Sequence, residues 1–161
     1  MKPTELQDGK QDCGKRCLAA WFSLPLNSIP LDEGVTLDVL EKTYLSLCEN
    51  HRPNIEWSLV VVAGPFRPKV VGYHSVLINK NGKLWDPATG FHNKLKPAYL
   101  PIYQIGGYTR HSVSADELRE WLLSLAEFYD LELTEKEKDD ITSNIYFVDA
   151  IRELFRQKLS I

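Results

Sequence analysis

The chain has 161 residues, of which 43% are hydrophobic, 25% charged and 11% aromatic, values close to those of ordinary globular domains. Its length predicts one domain, and its composition excludes collagen, a coiled coil and global disorder as descriptions of the whole chain. The net charge of −3, from 19 basic and 22 acidic residues without a Lys/Arg-rich block, gives no indication of nucleic-acid binding.

Three features of the sequence bear on cellular location. The longest strongly apolar run, Leu59–Ala63, is far too short to span a membrane. The N-terminal residues contain no apolar segment typical of a secretory signal. The three cysteines are odd in number and unevenly spaced, which favours a reducing compartment. We therefore expect no membrane association and a cytoplasmic location, with signal-independent secretion as an alternative.

Two helices are predicted in the first third of the chain. A polar, extended segment over residues 1–12 leads to a helix from Cys13 to about Leu24, with Asp12 as its N-cap. The apolar stripe of this helix consists of Cys13, Cys17, Ala20, Trp21 and Leu24. A second helix is predicted from Thr36 to about Glu49.

The middle of the chain shows strand patterns. The predicted strands are Trp57–Ala63, ended by Gly64-Pro65; Val70–Asn79; Lys83–Trp85; and Leu100–Ile105, ended by Gly106-Gly107. The clearest local signal is Lys80-Asn81-Gly82, which predicts a hairpin between the second and third strands.

The last third of the chain is predicted to be helical. Ser114-x-x-Glu117 is a capping box that opens a helix to about Tyr129, and Thr134-x-x-Glu137 is another capping box. A helical stripe then continues towards the C-terminus through Ile141, Ile145, Val148, Ile151, Leu154 and Phe155. Helices followed by strands and further helices predict an α+β fold.

Cys13 has the surroundings of a nucleophile. A helix N-terminus stabilises a thiolate through the helix dipole and the free amides, and Asp12 would start the helix at this position. Lys15 and Arg16 add positive charge to the same turn. Gly14 leaves the backbone beside the sulfur open to an acyl substrate.

A base and a carboxylate for Cys13 are found in the predicted hairpin. A catalytic cysteine needs a nearby base, and that base needs a group to orient it. A three-residue loop, with Gly82 left-handed, pairs Val76 with Asp86 and makes His74 a diagonal neighbour of Asp86 on one face. A two-residue turn would instead pair Leu77 with Asp86 and place His74 on the opposite face. The sequence allows both turns, and the chemistry predicts the three-residue loop.

The motifs at these positions resemble those of a known family. Gln-x4-Asp-Cys-Gly-x-x-Cys-Leu at 7–18, His-Ser-Val at 74–76 and Asp-Pro-x-x-Gly at 86–90 are similar to the bacteriocin-processing, double-glycine cysteine peptidases. The resemblance implies a papain-like fold, with an N-terminal nucleophile helix packed on an antiparallel sheet. The predicted single domain over 1–161 then has a catalytic core at 1–112 and a helical C-terminal extension at 113–161.

The family motif assigns a role to four residues. The resemblance implies that Cys13 is the nucleophile, His74 the general base and Asp86 the carboxylate that orients it. Gln7 would form the oxyanion hole together with the Cys13 amide. Family peptidases usually precede transporter and ATPase modules, which are absent from this sequence, so we expect a stand-alone enzyme.

The expected function is hydrolysis of peptide or amide bonds in a protein or peptide substrate, through a thioester and without a metal or organic cofactor. One alternative uses the same residues in a glutamine deamidase, transglutaminase or isopeptidase, because all of these pass through the same thioester. A further alternative is a binding module that keeps the fold without turnover. The C-terminal helices either complete the core or present a surface to a partner.

The remaining cysteines and histidines have simpler interpretations. Cys17 and Cys48 fit the apolar faces of their helices, and Cys-x-x-x-Cys alone is a weak metal signal. His51, His92 and His111 lie in loop-like surroundings and are expected to be exposed.

Overall fold

The computed structural model describes residues 1–67, 70–105, 114–144 and 146–159. In these residues the chain forms five α-helices, a short 3₁₀ helix at Leu26–Ser28 and an open, five-stranded antiparallel sheet, so the predicted α+β class is confirmed. The helices are α1 (Cys13–Phe22), α2 (Leu37–Cys48), α3 (Ala115–Phe128), α4 (Glu135–Thr142) and α5 (Phe147–Leu159). The strands are β1 (Trp57–Arg67), β2 (Val70–Asn79), β3 (Leu84–Asp86), β4 (Gly90–His92) and β5 (Leu100–Ile105), in the sheet order β4-β3-β2-β1-β5.

The chain divides into two compact units. The first unit comprises Met1–Val61, His74–Leu95 and Tyr103–Arg110, and the second comprises Val62–Tyr73, Lys96–Ile102 and His111–Ile161. The predicted boundary between residues 112 and 113 lies outside the described residues, as do Gly106-Gly107, His111 and Ile145.

Three helices begin where their capping residues predict. The Thr36 hydroxyl accepts an amide of the first turn of α2 at 3.4 Å. At the start of α3, the Ser114 hydroxyl accepts the Glu117 amide at 3.1 Å. The capping box of α4 is complete, because Thr134 and Glu137 each accept the other's backbone amide. Each cap satisfies an amide that the helix leaves without an internal partner.

The loop between β2 and β3 has the predicted three residues. The Asn79 amide donates to the Lys83 carbonyl at 2.9 Å, which closes the loop. Gly82 has a φ of +82°, a left-handed conformation that glycine adopts without steric cost. The turn chemistry therefore sets the register of this hairpin, as the sequence indicates.

Strand β1 is longer than predicted, because Gly64-Pro65 does not end it. The strand continues to Arg67. A Cβ atom at Gly64 would lie 2.4 Å from Tyr99 Cδ1 and 3.0 Å from the Ala98 carbonyl oxygen. Gly64 thus allows another segment of the chain to approach β1 closely. A glycine that makes room for a neighbouring backbone can lie within a continuous strand.

The second unit has a core built mainly by the C-terminal helices. Its largest buried side chains include Leu118, Trp121, Leu122, Leu125, Ile151 and Phe155. Trp121 Nε1 also donates to the Ala98 carbonyl at 2.8 Å. The predicted stripe towards the C-terminus is buried at Ile141, Val148, Ile151 and Phe155, although two helices carry it. Within the described ranges, no helix is both long and apolar enough to cross a bilayer.

Gly64→Ala is expected to destabilise the fold by about 1–3 kcal/mol, because the added methyl group overlaps Tyr99 and the Ala98 backbone. Gly72→Ala is the matched control, since a Cβ atom at this strand position meets nothing within 4 Å. Denaturant unfolding should show a lower midpoint for Gly64→Ala and an unchanged or slightly higher one for Gly72→Ala. Equal midpoints for the two variants would contradict a packing role for Gly64.

Candidate active site

Cys13 is the first residue of α1, as predicted, but Asp12 does not cap the helix with its side chain. Asp12 occupies the N-cap position without a capping hydrogen bond from its carboxylate. Instead its Oδ1 accepts Arg16 Nε at 2.9 Å and Gln7 Nε2 at 3.0 Å. The prediction of a side-chain cap was wrong because a guanidinium is a stronger partner for a buried carboxylate than a backbone amide. Arg16 is therefore paired rather than a free positive charge beside the sulfur.

The hairpin brings His74 to Asp86, as predicted. Leu77 pairs with Trp85 across β2 and β3, which excludes the register of a two-residue turn. His74 Nε2 lies 2.7 Å from Asp86 Oδ1. The His74 side chain is 9% exposed, so this contact is largely screened from water.

The thiol of Cys13 contacts strand β2. The Ser75 amide donates to Cys13 Sγ at 3.5 Å. His74 acts on the same thiol electrostatically and lowers its pKa, and the Ser75 side chain adds to this effect. His74 therefore interacts with both Cys13 and Asp86. Sequence reasoning missed Ser75, because its hydroxyl carries no signal beyond its place beside His74.

These contacts favour an ion pair of thiolate and imidazolium. Burial raises the pKa of Cys13, but the hydrogen bond and charge of His74 and the contacts from Ser75 outweigh it, so the pKa lies below the ordinary thiol value. Burial lowers the pKa of His74, yet Asp86 and Cys13 together raise it to about 9. For Asp86, burial raises the pKa, and the contact with His74 leads the opposing effects that lower it overall. The contacts thus stabilise the charged forms of all three groups, the thiolate, the imidazolium and the carboxylate.

Cys17 lies one turn after Cys13 and has the opposite environment. It is fully buried, and its Sγ donates to the Ser75 carbonyl at 3.3 Å. Burial raises the pKa of Cys17 well above the ordinary value, and the charges of Cys13 and Asp86 add to the increase. The predicted core role of Cys17 is confirmed. Cys48 is half-buried. Across the described ranges, no cluster of three or more His, Cys, Asp or Glu side chains could hold a metal ion.

Asp86 is held by the turn that follows β3. Its Oδ1 accepts the Ala88 amide at 2.7 Å, and the Thr89 hydroxyl helps to lower the pKa of the carboxylate. The same hydroxyl lies 2.6 Å from His92 Nε2. His92 is half-buried in β4, so the expectation of an exposed loop histidine was wrong, whereas His51 is exposed as expected. The Asp-Pro-x-x-Gly sequence is typical of a turn at this position. The contact of Thr89 with His92 depends on β4, a strand that the sequence analysis did not predict.

Gln7 lies in the extended N-terminal segment and reaches the start of α1. Its backbone amide donates to the Pro87 carbonyl at 2.7 Å, which fixes the segment beside the turn after Asp86. Its side-chain Nε2 donates to the Lys10 carbonyl at 2.8 Å and to Asp12 at 3.0 Å. The amide therefore lies against the residue that precedes the nucleophile, with both of its hydrogens directed to acceptors. An oxyanion would have to replace one of these acceptors.

Gly14 has a packing role that the sequence did not reveal. A Cβ atom here would lie 2.9 Å from Leu40 Cδ1 of α2 and 3.8 Å from the Ser75 hydroxyl oxygen. Glycine at this position lets Leu40, which is buried, pack against the first turn of α1. We expected Gly14 to give a substrate access to the sulfur, whereas the space over its Cα is already occupied by Leu40.

The structure brings Cys13 to the strand that carries His74, joins His74 to Asp86 by a hydrogen bond and places Gln7 against Asp12, the residue before Cys13. A thiolate next to a protonated imidazole can attack an electrophilic carbon and then protonate a leaving group. Comparisons of the chain with protein-family models, with curated proteins and with solved structures found no match.

Iodoacetamide should alkylate Cys13 faster at neutral pH than it alkylates an ordinary thiol, because the pKa of Cys13 is below the ordinary thiol value. In His74→Ala the pKa should rise, since burial then acts without the opposing imidazolium, and the neutral-pH rate should fall roughly tenfold for each unit of increase. Mass spectrometry over a pH series measures both profiles. Buried Cys17 serves as the internal control and should remain unlabelled in both proteins. An unchanged pH profile of Cys13 alkylation in His74→Ala would contradict the ion pair.

Asp86→Ala should produce a smaller effect of the same sign. Without the carboxylate the pKa of His74 should fall from about 9, because the hydrogen bond to Asp86 is the strongest of the effects that raise it. The weaker imidazolium then stabilises the thiolate less, so the pKa of Cys13 should lie between those of the wild type and His74→Ala. The pH profiles of alkylation by iodoacetamide measure the pKa of Cys13 in each protein. Asp32→Ala, a substitution at an exposed position, is the control. The prediction fails if Asp86→Ala and Asp32→Ala behave alike.

Proposed function

We propose that this protein is a cysteine-dependent hydrolase that transfers an acyl group from a peptide or amide bond to Cys13 and then to water. The observation that carries the proposal is the position of His74, which lies 2.7 Å from Asp86 and next to Ser75, whose amide donates to the Cys13 thiol at 3.5 Å. A binding module has no physical need for a buried imidazole between a thiol and a carboxylate. A nucleophile, a base and a group that orients the base are the three components that nucleophilic catalysis by cysteine requires.

In the first half of the reaction, the Cys13 thiolate attacks the carbonyl carbon of the substrate. A carbon–sulfur bond forms, and the electron pair of the carbonyl π bond moves to the oxygen. Collapse of this intermediate restores the carbonyl and breaks the carbon–nitrogen bond. The leaving nitrogen takes the proton of the His74 imidazolium and departs as an amine, and the acyl group remains on Cys13 as a thioester.

In the second half, water resolves the thioester. The neutral His74 imidazole accepts a proton from water, whose oxygen attacks the thioester carbon. The carbon–sulfur bond then breaks, so Cys13 returns to the thiolate and the acid product leaves. Asp86 stabilises the imidazolium and keeps the ring oriented in both halves.

The developing oxyanion needs donors close to Cys13. We assign this role to the Gln7 side chain and the Cys13 backbone amide, as the family resemblance implies. Removal of one such donor typically raises the barrier by about 3 kcal/mol. Gln7 has the donor chemistry and lies against Asp12, the residue before the nucleophile.

A papain-like arrangement of the first unit is part of the proposal. Two observations support it: the cysteine begins a helix, and that helix contacts the histidine strand through Cys17 and Ser75 at 3.3 Å. The resemblance to double-glycine cysteine peptidases adds a protein or peptide as the substrate. A nucleophilic thiol must also stay reduced, and none of the three cysteines, all in the described residues, forms a disulfide. We therefore propose action in the cytoplasm.

Wild-type protein treated with p-nitrophenyl acetate should release nitrophenolate and carry an acetyl group on Cys13, seen by peptide mass spectrometry. His74→Ala should acylate about 10²–10⁴-fold more slowly, because the base and the imidazolium are lost. Cys13→Ala should lose the modification altogether. Acetyl groups on surface lysines alone, with Cys13 unmodified, would overturn the proposal.

The acyl acceptor and the reaction product distinguish hydrolysis of peptide bonds from related acyl-transfer reactions. Unfolded casein incubated with the wild-type protein should yield new chain termini, which Cys13→Ala does not produce. Conversion of glutamine side chains with the chain intact would identify a deamidase instead. Incorporation of an added primary amine would identify a transglutaminase.

A further inference from the structure

A buried ion pair lies directly beside the nucleophile and has no place in the reaction described so far. Asp12 and Arg16 are 7% and 6% exposed, and Arg16 Nε lies 2.9 Å from Asp12 Oδ1. Burial of two charges carries a large desolvation penalty, and an ion pair is often no more stabilising than apolar side chains of similar volume. Stabilisation of the fold is therefore not a sufficient reason for this buried ion pair.

The pair contacts the N-terminal segment at two points. Asp12 Oδ1 accepts the Gln7 side chain at 3.0 Å. Arg16 Nη1 donates to the Glu5 carbonyl, two residues before Gln7. One end of the ion pair thus binds the Gln7 amide, and the other end binds the backbone that carries it.

These contacts decide the orientation of the Gln7 amide. An ionised carboxylate accepts hydrogen bonds only, so the NH₂ end of the Gln7 amide must face Asp12 and its oxygen must face away. The pKa of Asp12 supports the ionised form. Burial raises it, but Arg16 and Gln7 outweigh burial and hold it below the ordinary value. Asp12 therefore directs a hydrogen-bond donor towards the start of α1.

We propose that Asp12, held by Arg16, is a positioning residue that keeps the Gln7 amide ready to bind the oxyanion of the acylation step. This inference rests on the proposed function and adds a part to its oxyanion hole. Asp12 acts through Gln7 and touches no reacting atom.

The two acceptors of Gln7 differ in a way that fits this role. The bond to Asp12 is partly buried and involves a charge, whereas the bond to the Lys10 carbonyl is exposed and neutral. Hydrogen bonds to charged groups contribute more than neutral ones. The oxyanion therefore replaces the Lys10 carbonyl as the acceptor of one amide hydrogen of Gln7, while Asp12 continues to accept the other.

Two reactions of Cys13 separate positioning from general damage to the site. Alkylation by iodoacetamide displaces iodide at a saturated carbon and creates no oxyanion. Acylation by p-nitrophenyl acetate passes through a tetrahedral oxyanion and releases nitrophenolate. Both reactions need the thiolate, so the ratio of the two rates reports oxyanion stabilisation and cancels changes in the pKa of Cys13.

Gln7→Ala should lower the acylation-to-alkylation ratio about 100-fold, the usual effect of losing one oxyanion donor. Asp12→Asn should lower it roughly tenfold, because an uncharged amide can present either end to Gln7 and no longer dictates its orientation. Asp8→Asn is the matched control, since it makes the same change at an exposed position of the same segment, and should leave the ratio unchanged.

A double-mutant cycle tests whether Asp12 acts through Gln7. In the Gln7→Ala background, Asp12→Asn should cause no further fall in the ratio, because the amide that it orients is gone. If Asp12→Asn fails to fold, Asp12→Ala/Arg16→Met removes both charges together and should lower the ratio in the same way. The inference is overturned by an unchanged ratio in Asp12→Asn, or by effects that simply multiply in the double variant.

Failure of the proposed function has a different signature. Alkylation of wild-type Cys13 would then be slow at neutral pH and insensitive to His74→Ala, and the inference about Asp12 would fall with it. Fast, His74-dependent alkylation with no effect of Asp12→Asn on the ratio overturns the inference alone.

Discussion

The hydrogen bond between His74 and Asp86, at 2.7 Å, is the interaction on which the rest of the candidate site depends. Asp86 raises the pKa of His74, and the resulting imidazolium lowers that of Cys13. A carboxylate on one strand reaches a histidine on its neighbour only in one hairpin register, because a shift by one residue reverses the face of every side chain. The left-handed Gly82 in a three-residue loop sets that register. The geometry of a surface turn thus influences the charge of the half-buried Cys13 thiol.

The candidate site contains two systems of charged groups that meet at the first turn of α1. One consists of Cys13, His74 and Asp86, and the other is the buried pair of Asp12 and Arg16. A lone carboxylate at Asp12 would disfavour a thiolate at the next residue, since like charges at close range repel. Arg16 offsets this charge. The helix N-terminus can therefore stabilise an anion at Cys13 while Asp12 binds the Gln7 amide.

Local chemistry explains which parts of the fold and site were predictable from sequence. Caps such as Thr134 with Glu137, and the turn at Gly82, depend on residues close in sequence, and the structure confirms them. The meeting of His74 and Asp86 follows from that turn. Features that depend on distant partners were not predictable. Gly64 resembled a strand end because its neighbour Tyr99 comes from a remote segment. For Asp12, a backbone cap and a salt bridge are both compatible with the sequence, and burial beside Arg16 decides between them.

With a pKa of about 9, His74 is an imidazolium at neutral pH and stabilises the thiolate of Cys13. NMR of the protein with labelled histidine, titrated in wild-type and Cys13→Ala proteins, measures the charge of this ring directly. We expect the His74 ring to remain protonated through neutral pH and to titrate near pH 9, with a clearly lower midpoint in Cys13→Ala, where the contribution of Cys13 is lost and that of Asp86 remains. A His74 ring that is already neutral at neutral pH, with the same midpoint in both proteins, would contradict it.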